Sequence, residues 1–334
     1  MPDPHGWEVL ATLPGVADHP GALPEDGWLP GVVPGTAAMA VRAVEGEPAA
    51  RELDVDAHDW WWRGRLALPS AGCWELRFDG IATASTVWVD GVEVASGTSM
   101  WRAVVAEIEL AAGDHEVVVR VAALTPLLAP RRPRPRWRTS LVGPPSLRWW
   151  RTTALGRMPA MAPDLAPAGP WRDVHLRPAL ADDVVGARVH TRVVDGVGVV
   201  HAHVRLRASA SGPAVLRVGD HASTLVASPD GRDLHGQLEV ADPPLWWPHP
   251  YGDQPLLPAV VEIGARAHAL GRVGFRDLAA RRDDGGFALV VNGVPIFARG
   301  ACWLPPDPVG LRDPQATRES LALLRESGAV MVRV

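Results

Sequence analysis

The sequence predicts a mainly β chain: two antiparallel sandwiches in series, followed by the opening strands and helix of an incomplete α/β barrel. Three observations carry that prediction. Short segments of alternating apolar and polar residues recur, with turn residues about every 8–12 positions, from about residue 60 to 121 and again from 184 to 263. Residues 125–170, rich in proline and arginine, interrupt them. From Gly285 the pattern changes to strand, helix, strand, the start of a parallel arrangement. Two barrel strands cannot close a fold that needs eight.

The first strand set runs through Trp62–Leu68, Cys73–Phe78, Thr86–Val89, Val92–Ala95, Val104–Leu110 and His115–Val121. Asp90-Gly91 between two β-branched runs is a strong hairpin signal. Successive strand residues face opposite ways, so Trp60-Trp61-Trp62 cannot all point one way. At least one is expected to face outward or to pack on another domain. The second set takes Arg188–Val193, Val199–Arg207, Ala214–Val218, Gly236–Val240 and Ala259–Ile263, and its length suits an immunoglobulin-like sandwich. His201 and His203 alternate onto one face and read as exposed strand residues rather than metal ligands, because no third ligand is evident. After Gly285, Phe287–Val291 and Val294–Ala298 flank an Asn292-Gly293 turn. Asp313 then supplies an N-cap and Pro314 the first helical position, Gln315–Ser327 is helix-forming, and Gly328 stops the helix. Ala329–Val334 reads as a buried strand. The domains expected are residues 1–178, 179–280 and 281–334.

Composition narrows the function. The formal net charge is −5, which speaks against a nucleic-acid partner held by a basic surface. All 33 basic residues are arginine and Asn292 is the single asparagine, a bias that suits a GC-rich bacterial source. Cys73 and Cys302 match no metal or redox spacing and are expected as buried free thiols. The N-terminus shows no secretory signal and no apolar run reaches membrane-spanning length, so cytoplasmic residence without a membrane partner is expected. Fifteen tryptophans stand against four phenylalanines and one tyrosine. Indole faces stack on the C–H faces of pyranose rings as readily as they fill cores.

Several segments carry a family resemblance. Phe78-Asp79-Gly80-Ile81 through Val89-Asp90-Gly91, Gly169-Pro170-Trp171-Arg172, Leu245-Trp246-Trp247-Pro248 through Pro255-Leu256, and Gly274-Phe275-Arg276 follow in order. Val291-Asn292-Gly293 through Trp303-Leu304-Pro305-Pro306-Asp307 and Met331-Val332-Arg333-Val334 complete the series. Together they resemble the family 2 glycoside hydrolases, specifically the β-mannosidase branch. The resemblance implies a galactose-binding-like jelly roll, an immunoglobulin-like sandwich and a (β/α)8 catalytic barrel. It implies an exo-acting retaining β-glycosidase that takes an oligosaccharide or glycoside and needs no cofactor or metal. The oligomeric state is left open.

Retaining glycosidases work with two carboxyl groups. The resemblance places both catalytic glutamates beyond Val334, and no Asn-Glu pair stands in this chain. The chain alone is therefore expected to be inactive. Substrate-binding candidates remain: Arg333 at the end of the second barrel strand, and Trp303 and Asp307 after the first. Cys302 replaces the family's usual asparagine. The jelly-roll segment that lends a subsite aspartate to β-mannosidases aligns with Pro159–Pro163, putting Ala160 at that position, with Asp164 nearby as a substitute. Trp149, Trp150 and Arg151 are further candidates. Two other readings stand beside this one. One is a stand-alone carbohydrate-binding module; the other is the same family acting on a galactoside, glucuronide or glucosaminide.

Overall fold

The structure, a computed structural model, describes residues 3–133, 142, 145–158, 165–282 and 285–334. The chain divides into two compact units, residues 1–179 with 304–317 and residues 180–303 with 318–334. The stretch 304–317, read from sequence as part of the barrel start, thus clusters with the first unit.

The first unit opens with β1 (His5–Thr12), β2 (Leu29–Pro30), α1 (Ala37–Glu45) and α2 (Glu47–Glu52). It continues with β3 (Asp59–Leu68), β4 (Gly72–Phe78), β5 (Ser85–Val89), β6 (Val92–Gly97), β7 (Val104–Leu110) and β8 (Gly113–Val121). The short α3 (Leu124–Leu128) and β9 (Val174–Pro178) complete it. A six-stranded sheet in the order β2-β1-β3-β8-β5-β6 and a three-stranded sheet β7-β4-β9 form the two layers. Their facing rows meet in one core: Trp60, Trp62, Leu66, Val117 and Val119 from one sheet, Trp74, Leu76, Phe78 and Leu176 from the other. Alternation along β3 sends Trp61 to the opposite face, where it stacks on Trp88 at 5.6 Å. The expectation that one of the three tryptophans faces outward is not met, since all three are buried. Trp61 is covered from within its own unit, because the segment that contributes Ala17, Leu23 and Trp28 closes over Leu10, Trp61 and Val118.

The second unit carries β10 (Val184–Val194), β11 (Val197–Leu206), β12 (Ala214–Val218), β13 (His221–Ala227), β14 (Asp233–Val240), β15 (Leu257–Ile263) and β16 (Arg266–Val273). The ladder runs β10-β11-β14-β13-β12-β15-β16. β13 switches layers: His221–Leu225 pair with β12, whereas Val226 and Ala227 pair with β14. The ladder thereby folds onto itself as a sandwich around Val200, Val204, Leu216, Leu238, Val261 and Phe275. His201 and His203 lie exposed on β11 as expected. Next come β17 (Leu278–Arg281), β18 (Ala288–Val291), β19 (Val294–Ile296) and β20 (Gly300–Cys302), then α4 (Pro314–Glu326) and β21 (Met331–Arg333). β20 and β21 pair in parallel, Cys302 opposite Arg333, which is the strand–helix–strand opening of a barrel. α4 begins where Asp313 Oδ1 accepts from the Ala316 amide at 2.9 Å, and it ends at Gly328 with φ +73°.

Neither cysteine is in a disulfide, and neither is buried: Cys73 is intermediate and Cys302 exposed. A two-strand barrel opening has no inner layer to cover Cys302. Three Asx-Gly turns, Asp90-Gly91, Asp195-Gly196 and Asn292-Gly293, place both residues at positive φ. That is the type I′ geometry matching the twist of the strands they join.

Candidate functional site

One surface feature of the first unit is assembled from four loop segments tied around Met100, which is fully buried. Met100 donates its amide to the Arg151 carbonyl at 2.9 Å and accepts the Trp171 indole N–H on its own carbonyl at 2.9 Å. Its sulfur lies 3.1 Å from the Thr153 amide. Gly169 and Ala82 exchange amide–carbonyl bonds of 2.9 and 3.0 Å, and Asp79 donates its amide to the Asp173 carbonyl at 2.9 Å. Glycine is required at position 80, because a Cβ there would stand 2.8 Å from the Met100 oxygen and 2.9 Å from the Trp171 indole nitrogen. Two segments of the family resemblance, Phe78–Gly91 and Gly169–Arg172, are thus the two halves of one clasp.

The clasp holds Trp101 outward. Its ring meets Trp171 edge-on, with centroids 5.4 Å apart, and remains 49% exposed. On one side lies a cleft of about 660 Å³, lined by Trp101 with Ser96, Thr98, Ser99, Arg102 and Arg151. On the other lies a cleft of about 430 Å³ with Arg77, Asp79, Arg172, Asp173 and Arg312. Both volumes suit a small-molecule site. In the second cleft the charges are largely internal: Arg77 pairs with Asp79 at 2.7 Å, Arg312 with Asp173 at 2.6 Å, and the Arg172 guanidinium stacks 4.3 Å over Trp171. An aromatic wall flanked by hydroxyls and guanidiniums can stack a sugar ring and hydrogen-bond its hydroxyls.

Of the residues expected from sequence, Arg151 is brought to this site, its backbone bridging Ser99. Trp149 is exposed with Arg132 over its ring at 6.0 Å, outside both clefts. Trp150 packs into a small cluster with Leu124, Leu128 and Leu147. Asp307 also belongs to the first unit, and its carboxylate accepts from the Val309 and Gly310 amides at 3.1 and 3.0 Å. Those bonds tie up one carboxylate oxygen in turning its own loop. In the second unit Arg333 is exposed, with its guanidinium 4.0 Å from Cys302 Sγ. The Trp303 amide donates to the Arg333 carbonyl at 2.8 Å, and its indole donates to Ser320 at 3.3 Å. Ala160 and Asp164 lie outside the described residues. Trp101 was missed in the sequence, where it follows a run of small hydroxyl residues at the end of β6. An aromatic after Ser-Gly-Thr-Ser-Met, too short of apolar neighbours to be a core strand, is the signal that could have found it.

Residues 17–172 match the family model described as a glycosyl hydrolase 2 galactose-binding domain-like domain. That segment is a family 2 glycosyl hydrolase galactose-binding-like domain. Among the curated relatives, β-mannosidase B of Neosartorya fischeri is 29% identical over 322 residues, covering 85% of this chain and 37% of the relative. β-Mannosidase B of Aspergillus fumigatus is 29% identical over 325 residues, covering 86% and 38%. The chain therefore spans little more than a third of the length of these relatives. The crystal structure of β-D-mannosidase from Dictyoglomus thermophilum superposes with a TM-score of 0.81 at 22% identity, covering 99% of this chain and 43% of that one. β-Glucuronidase from Ruminococcus gnavus superposes at 0.67 and 17%, covering 99% and 54%. These likenesses establish the family 2 fold: jelly roll, sandwich and barrel start. The curated relatives are fungal, so the expectation of a bacterial source finds no support among them. Among the described residues, no helix is long and apolar enough to cross a membrane.

Proposed function

We propose that this chain is the N-terminal part of an exo-acting retaining β-glycosidase that removes terminal β-D-mannose residues. The observation that carries the reading is the 29% identity to β-mannosidase B over 85% of the chain. The family match over residues 17–172 supports the glycosidase class. Three domains are proposed: a jelly roll over residues 1–178, a sandwich over 179–280 and a barrel start over 281–334. The two carboxyl groups of a retaining mechanism, one nucleophile and one acid/base about 5–5.5 Å apart, belong to barrel strands that follow β21. The chain alone is accordingly proposed to be inactive.

Within that reading Arg333 is a positioning residue. A guanidinium at the C-terminal end of a barrel strand stands where active sites of this fold gather, and it would hold a neighbouring nucleophile carboxylate ionised. Trp303 is proposed as a wall of the same face. The Asp307 bonds to its own loop amides favour a structural role for that residue.

The test is a panel of aryl β-glycosides given to the protein extended to the length of its relatives. Fastest release from the β-mannoside is expected. Faster release from the β-glucuronide or β-galactoside would keep the family and replace the sugar. Sequencing past the codon for Val334 separates this reading from a stand-alone binding module: an open frame with an Asn-Glu pair within about 150 codons is expected, and an immediate stop codon would support the module.

A further inference from the structure

We propose that the larger cleft beside Trp101 binds a saccharide unit carrying a carboxylate, a uronate. The proposal rests on the glycosidase reading for the saccharide, whereas the charge preference rests on the cleft itself. Three features of the cleft combine. First, Trp101 is held rigidly by Trp171 and the Met100 clasp and yet is half exposed, so its flat face is offered to a ring rather than to the core. Second, Ser96, Thr98 and Ser99 supply hydroxyls along the wall, and the Ser99 oxygen that accepts from the Trp101 amide keeps its own proton to donate.

The third feature is charge. Arg102 and Arg151 are exposed, both line the cleft, and no described residue lining it is a carboxylate. Neither guanidinium has a side-chain partner among the described residues. Several arginines elsewhere in the unit are matched: Arg63 with Glu8, Arg120 with Asp59, Arg157 with Asp56 and Arg177 with Glu75. In the neighbouring cleft Asp79 and Asp173 neutralise Arg77 and Arg312. Two unmatched guanidiniums beside an indole platform form a site for a planar anion borne on a sugar ring, because the guanidinium fork suits a carboxylate bidentately. A neutral sugar would gain from the platform and the hydroxyls but leave both charges unanswered.

The test titrates residues 1–334 with a β-glucuronosyl disaccharide, its neutral glucosyl counterpart and inorganic sulfate, by calorimetry and saturation-transfer NMR. The acidic disaccharide is expected to bind about tenfold more tightly than the neutral one, with the preference shrinking as salt is raised. Arg102→Gln with Arg151→Gln should bring acidic binding down to the neutral level, and Trp101→Ala should remove both. The arginine substitutions sit on exposed side chains, so an unchanged melting temperature separates lost binding from lost folding. Equal affinity for the two disaccharides would overturn the proposal. So would sulfate competing as well as the acidic disaccharide, or retention of the preference in the double variant. Each of those results leaves the glycosidase reading standing, because the aryl-glycoside panel is run on the extended protein with both arginines intact.

Discussion

Arg157 shows how one residue can anchor an irregular segment. Its side chain is nearly buried and meets Asp56 through two bonds of 2.6 and 2.7 Å, with a third to the Thr153 carbonyl at 3.0 Å. Removing one partner of such a pair strands a buried charge. Arg157→Ala should therefore lower stability by about 3–5 kcal/mol in urea titrations. Arg51→Ala, which removes an exposed helical pair with Glu47, should cost less than about 0.5 kcal/mol. Gly80→Ala tests the clasp, since its new Cβ must displace the Met100 carbonyl or the Trp171 ring. A loss of about 1–3 kcal/mol is expected from the overpacking, together with weakened disaccharide binding at Trp101. Unchanged binding would show that the clasp does not position the indole. At this scale the sequence was least legible. Arg151 could be nominated, but Trp101 was marked only by its run of small neighbours, because its exposure is set by partners 50 or more positions away in the chain, at Arg151 and Trp171.

Among the elements, the β5–β6 hairpin carries a charge-dependent lock. Asp90 Oδ1 accepts from the Glu116 amide at 2.9 Å, and Asp90 Oδ2 lies 2.6 Å from His115 Nδ1. The His115 pKa is raised, chiefly by that bond to Asp90, against an opposing contribution from burial; the Ala111 carbonyl and the charges of Asp90 and Asp114 add to the rise. A raised histidine pKa means the folded state holds the proton more tightly than the unfolded chain does. The stabilisation is thus complete below the unfolded value near 6.5 and fades as pH climbs through the folded value. The stability difference between the wild type and His115→Gln should be larger at about pH 6 than at about pH 9. A difference independent of pH would remove the lock. Strand positions were largely legible, because alternation and Asx-Gly turns are local signals. The strands β1, β9, β13 and β16 and the helices α1 and α2 were not. β9 is recruited to the sheet edge by β4, and α1 is capped by Thr36, whose hydroxyl donates to the distant Val309 carbonyl at 2.9 Å. Such partners leave no periodic trace nearby.

For the whole molecule, the motifs of the family resemblance map onto joints. In the second unit the Trp246 amide donates to the Phe275 carbonyl at 2.8 Å, joining the Leu-Trp-Trp-Pro and Gly-Phe-Arg segments. Asn292 then takes the Asp277 amide at 2.9 Å and donates to the Trp246 carbonyl at 3.1 Å. A turn asparagine at positive φ with both ends of its amide engaged explains why the single asparagine of an arginine- and alanine-rich chain stands there. These joints hold together the segments that carry the resemblance, and the proposed glycosidase chemistry is assigned to a complete barrel. The most direct test follows the anomeric NMR signals of the sugar released from an aryl β-mannoside by the protein extended to the length of its relatives. β-Mannose appearing first and then equilibrating is the predicted result. α-Mannose appearing first, or no mannose released while another aryl β-glycoside is cleaved, would contradict the account.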